Sequence, residues 1–122
     1  SIFDKNKMSQ VLDNLLSNAV KFSPGGGTIR VQGSFDDAQV TVSVTDQGIG
    51  MTSEQVARIF DKFYRADCSN TAISGLGLGM SLVKAIVEAH GGQIWVDSEV
   101  GVGTSACFTL PFARSESGNY SA

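Results

Sequence analysis

The sequence predicts an α/β domain, a two-layer sandwich with helices over one face of a mixed or largely antiparallel sheet. Three observations carry this. Apolar residues recur at three and four in "KMSQVLDNLLSNAVKF" and again in "SLVKAIVEAH". Two pairs of period-2 runs are closed by short turns. Helices and strand pairs alternate along 122 residues, enough for one domain with one core.

In order, the first helix offers Met8, Val11, Leu12, Leu15, Leu16 and Ala19 as one face, and "SPGGG" ends it. "TIRVQGSF" places Ile29, Val31 and Phe35 on one side of a strand. "QVTVSVTD" places Val40, Val42 and Val44 on one side and Thr41, Ser43 and Thr45 on the other. The short "DDA" between them suits a hairpin. After the loop "DQGIGM", Thr52 or Ser53 caps a short helix running to Phe60. Residues 64 to 77 lack a period and read as a loop long enough to be functional, with few apolar residues to order it without a ligand. The next helix turns Leu82, Val83, Ile86 and Val87 inward and Ser81, Lys84 and Glu88 outward, and Gly91 and Gly92 end it. "QIWVDS" and "GTSACFTLPF" form a second strand pair, and residues 113–122 form a polar tail after a domain spanning 1–112.

Composition narrows the function. Apolar residues make up 42% and charged residues 17%, a globular balance. A net charge of −3 argues against a nucleic-acid or anionic-membrane partner. No apolar run is long enough to span a bilayer and no signal peptide is visible. Cys68 and Cys107 lack metal-ligand spacing and read as reduced cytosolic thiols.

Three groups of residues could carry chemistry. Asn14, Asn18 and Lys21 share a narrow arc at the rim of the first helix's apolar face. Two amides and an ammonium suit a hydrated Mg²⁺ and phosphate oxygens, or simply a solvated helix face. Asp46 ends a valine-rich strand before Gly48 and Gly50. It could accept from an exocyclic amino group while the glycines let backbone approach a flat ring, or it could be a plain Asp turn. "GLGLG" before a helix offers N–H groups and a positive dipole end to phosphates. It is neither a P-loop nor a dinucleotide fingerprint.

Taken together, the chain resembles the catalytic, ATP-binding domain of sensor histidine kinases, in the superfamily that includes DNA gyrase, MutL and the heat-shock chaperone ATPase. "NLLSNAVKFSP" is similar to the N box, "DQGIGM" to the G1 box and "FDKFYR" to the F box. "GLGLGMSLVKAIVEAHGGQIWVDSEVGVGTSACFTLPF" is similar to the G2 box with the family's usual downstream half. The likeness runs from about Lys7 to Phe112.

The resemblance implies Mg²⁺ and ATP as cofactors. It implies Asn18 as principal Mg²⁺ ligand, Asn14 at the phosphates or metal, and Lys21 at phosphate oxygens, with Phe22 nearby in place of the more common Tyr. Asp46 would bind the adenine amino group, with Gly48, Gly50 and Thr104 around it. Phe60 and Phe63 would anchor a lid, Tyr64 and Arg65 would border the nucleotide, and Arg65 would reach the phosphates. Gly75, Gly77, Leu78 and Gly79 would hinge the lid and present N–H groups. Hydrolysing relatives carry Glu where this chain has Asn14. A neutral amide is no general base, so transfer to an external histidine is favoured over hydrolysis. Asn14, Lys21 and Arg65 are thus the expected catalytic set.

His90 reads as a helix-end residue rather than a phosphoacceptor. The acceptor would lie on a separate histidine-bearing dimerisation domain, with a response regulator downstream. The chain would be a fragment lacking the family's small strand and helix ahead of "KMSQVL". It would bind ATP without phosphorylating itself and make no direct membrane contact. Two rivals are a degenerate interaction module of the same fold and an anti-sigma-factor-like protein serine kinase. In the G2 box, Leu76 and Met80 depart from the usual Gly-Thr-Gly-Leu-Gly-Leu, which removes one hydroxyl from the lid.

Overall fold

The computed structural model describes residues 4–61 and 79–111. Seven elements succeed one another: α1 (Lys5–Lys21), β1 (Arg30–Phe35), β2 (Gln39–Thr45), α2 (Ser53–Arg58), α3 (Gly79–Ala89), β3 (Gln93–Glu99) and β4 (Gly103–Pro111). The strands form one sheet in the order β1-β2-β4-β3, with all three pairings antiparallel. Of the mixed or largely antiparallel sheet expected, the described residues form the antiparallel kind. No helix among them is long and apolar enough to cross a membrane.

Local chemistry explains the boundaries. Asp4 caps α1, its carboxylate accepting from the N–H groups of Asn6 and Lys7. Thr52 rather than Ser53 caps α2, in a reciprocal capping box with Gln55. The helix stops at Arg58, so Ile59 and Phe60 lie in a turn. The β1–β2 turn is held by Asp36, whose Oδ1 accepts from Ala38 N–H at 2.7 Å and Gln39 N–H at 2.9 Å.

The core lies between sheet and helices. Val11, Leu15 and Ala19 of α1 meet Val83, Ile86 and Val87 of α3, over Val44, Val96, Ala106, Phe108 and Leu110 of β2–β4. Met8, Leu12 and Leu16 pack partly buried at its edge, completing the apolar face read from the sequence. One expectation fails here. Leu82 is 40% exposed, and Met80 takes the inward position at the start of α3. Val31 and Phe35 are 52% and 76% exposed, and every residue of β1 is exposed. The alternation in β1 is real, but helices pack over β2, β3 and β4 and leave this edge strand uncovered.

Candidate nucleotide site

Under the helical layer, α1, β2, the loop after it, α2, α3 and the β3–β4 hairpin enclose a cavity of about 30 Å³. Leu15, Ala19, Phe22, Val44, Met51, Ile59, Met80, Val96 and Ala106 give it apolar walls. Asn18, Asp46 and Thr104 supply its polar groups. The walls arise from the patterns that build the core. The α1 positions belong to the buried stripe, and Val44, Val96 and Ala106 alternate inward on neighbouring strands.

Asp46 is only 5% exposed. Its Oδ1 accepts from Gly48 N–H at 2.8 Å and from Thr104 N–H at 3.2 Å. Its own N–H donates to Thr104 C=O at 2.8 Å. A buried carboxylate must be hydrogen-bonded to be tolerated, and these backbone donors hold it rigidly. Its Oδ2 has no hydrogen-bond partner among the described residues.

The glycines after Asp46 make room for backbone. A Cβ on Gly48 would fall on the Phe22 carbonyl, and one on Gly50 on the Glu99 carbonyl, with Gly50 at φ +74°. Their bare backbone thus lets "DQGIG" lie against the end of α1 and the β3–β4 hairpin. Ile49 N–H donates to Phe22 C=O and Gly101 N–H to Ile49 C=O, both at 2.9 Å, which locks the loop in place. Neither glycine lines the cavity.

The remaining expected residues divide. Asn18 lines the cavity, whereas Asn14, one turn earlier, does not. The Asn14 amide donates to Gln10 C=O at 2.9 Å, and its Oδ1 lies 3.1 Å from where a Cβ on Gly79 would stand. Asn14 is therefore beside the start of α3. Lys21 Nζ lies 5.3 Å from the centroid of the Phe22 ring, whose side chain lines the cavity. Phe60 packs partly buried at the core's edge with Lys84 Nζ 5.4 Å from its centroid. Phe63, Tyr64, Arg65, Gly75, Gly77, Leu78 and Cys68 lie outside the described residues, as does the loop of residues 64 to 77.

Sequence reasoning missed Met51, Ile59 and Met80, apolar wall residues near loops, where period carries no signal.

His90 ends α3 with both ring nitrogens engaged. Asp4 N–H donates to Nε2 at 3.3 Å, and Nδ1 lies 2.8 Å from Ile86 C=O. An N–H donor at Nε2 assigns the proton to Nδ1. Among the described residues no three His, Cys, Asp or Glu cluster as a metal site.

The site is thus a buried acceptor at the foot of an apolar slot, between an antiparallel sheet and the helices that roof it. Residues 3–114 match the model of the histidine kinase-, DNA gyrase B- and HSP90-like ATPases, and the chain belongs to that family. It is 44% identical over 116 residues to sensor histidine kinase WalK of Bacillus subtilis (strain 168), covering 93% of this chain and 19% of that protein. It is 41% identical over 121 residues to sensor protein kinase WalK of Staphylococcus aureus, covering 97% and 29%. The chain thus spans less than a third of these relatives. Among solved structures, full-length ShkA in complex with AMPPNP aligns with a TM-score of 0.79 at 36% identity, covering 90% of this chain and 22% of that one. A mycobacterial sensor histidine kinase, MprB, aligns at 0.79 and 33%, covering 90% and 75%.

Proposed function

We propose that this domain binds Mg-ATP and presents the γ-phosphate to a histidine on a separate dimerisation domain of a sensor kinase, which then serves a response regulator. The observation that carries this is Asp46: a buried carboxylate, fixed through Oδ1, in an apolar slot with Oδ2 left to accept. An exocyclic amino group of adenine is the donor that matches it. That a structural neighbour was solved with AMPPNP supports the same reading.

The donor set at the α1 rim fits a hard cation and phosphates. Asn18 and Asn14 bring amide oxygens, and Lys21 brings an ammonium. Bound Mg²⁺ would supply charge neutralisation on the phosphates. Asn18 and Asn14 would hold the metal, Lys21 and Arg65 the phosphate oxygens, and the glycines from Gly75 to Gly79 would close a lid. None of these is a general base, which favours transfer over hydrolysis.

The test is a calorimetric titration of ATP with and without Mg²⁺, on the wild-type chain and Asn18→Ala. Binding that depends on Mg²⁺, and loses that dependence in the variant, is expected. No ATP binding by the wild type refutes the proposal. Labelled ATP added with the histidine-bearing helices should place label on histidine.

A further inference from the structure

The turn of the β3–β4 hairpin and the loop after β2 meet at the surface. Ile49, Val100 and Val102 are 52%, 60% and 61% exposed there. A single exposed aliphatic group needs no explanation, but a contiguous set marks a contact surface. The backbone beneath these three is fixed. Gly101, between the two valines, donates its N–H to Ile49 C=O at 2.9 Å, and Val102 N–H donates to Glu99 C=O at 3.0 Å. None of the three lines the nucleotide slot. Beside this tip lies an open groove of about 300 Å³. Thr45, Ser105 and Asp97 line it, neighbours across three strands. They alternate with the buried Val44, Ala106 and Val96, so they point away from the helices. Glu99 and Val102 complete its rim. Both carboxylates are exposed, and the ion pairs among the described residues are Arg58–Asp61 and Lys84–Glu88, so neither is neutralised. Arg30 is the only Lys or Arg in the four strands, and it stands three strand spacings from Asp97, roughly 14 Å.

We propose that tip and groove together dock a basic segment of a partner protein, an Arg or Lys side chain entering beside Asp97 and Glu99 while an aliphatic neighbour rests on Ile49, Val100 and Val102. Charge selects this occupant. A second copy of the chain, itself at net charge −3, would bring the same carboxylates of both copies together across a two-fold axis. An acidic partner meets the same repulsion. A basic segment is drawn in, and the methylene stem of its Arg or Lys packs along Val102 before the charge reaches the groove. Asp97 and Glu99, like the tip residues, lie outside the lining of the nucleotide slot. The surface therefore stands whether or not the slot takes a purine.

The test titrates short synthetic peptides into the full chain and follows its amide NMR spectrum. One peptide mixes Arg with Leu, one Glu with Leu, and one Arg with Ser. The Arg–Leu peptide should bind and shift the amides of Ile49 and residues 97–103, with the other two at least tenfold weaker. The double variant Asp97→Asn, Glu99→Gln should bind it about fivefold more weakly, with a flatter dependence on salt. The double variant Val100→Ser, Val102→Ser should lose about tenfold and keep the salt dependence. All four positions are exposed, and each variant's own spectrum shows whether it is folded. Glu–Leu binding as tightly as Arg–Leu reduces the tip to an unselective apolar patch and overturns the proposal. Arg–Ser binding as tightly reduces it to bulk charge and overturns it too. Shifts centred elsewhere, or no binding by any peptide, also overturn it. Self-association in sedimentation that Val100→Ser, Val102→Ser abolishes would give the surface to a second copy instead.

Discussion

Replacing Asp46 with Asn separates the two roles of this carboxylate. The variant keeps an oxygen able to accept from Gly48 and Thr104, so the loop retains its shape. Each of those bonds changes from charge-assisted to neutral, roughly from 1.5–3 to 0.5–1.5 kcal/mol. Two such bonds put the loss of stability at about 2 kcal/mol, or roughly 5–10 °C in Tm for a chain of this size. At the other oxygen the change is of kind. An acceptor becomes an N–H₂ donor facing a donor, which should cost about 2–3 kcal/mol of ATP affinity, about 30- to 150-fold. Urea denaturation gives the first number. Calorimetry well below both melting temperatures, where each protein is folded, gives the second. An Asp46→Asn chain that stays folded and binds ATP within twofold of wild type would refute the assignment of Asp46 to the base.

Two further predictions concern the scaffold. Val83 is fully buried where α3 meets α1, so Val83→Ala removes two methyl groups and leaves a hole. The expected cost is about 2–3 kcal/mol in urea denaturation, and a loss well under 1 kcal/mol would mean that the helical layer collapses to fill the gap. The N–H groups of Ala38 and then Gln39 hold the Asp36 carboxyl below the usual carboxylate range. A folded value below the unfolded one stabilises the hairpin above the unfolded value, and that stability is lost as pH falls through the folded value. Wild type should therefore exceed Asp36→Asn in stability at neutral pH and converge with it in strong acid. A gap that persists in acid would assign the effect to something other than charge.

Much of this was legible because periodic burial writes itself into sequence. The buried stripe of α1, the inward valines of β2 and the order of elements all come from spacing. β1 shows the limit of the same logic. Its alternation matches a buried strand, but the helices are too few to reach the sheet edge, and coverage is a property of the whole layer. Leu82 turned outward for a related reason: at the first turn of a helix, the neighbour across the interface decides which side is inside. At the site, Asp46 was readable as a strand-end acceptor. The purpose of Gly48 and Gly50 was not, because their missing side chains make room for carbonyls distant in sequence.

The ring of His90 fastens the cap of α1 to the last turn of α3. At its other end, α3 begins against Asn14. The two helices that roof the cavity are thus hydrogen-bonded at one end of α3 and closely packed at the other. A pull on the chain ahead of Asp4 would reach α3 directly through an imidazole, without first passing through the sheet. At the far end of α1 the Phe22 carbonyl holds the Ile49 N–H, so the same helix also grips the loop that carries Asp46.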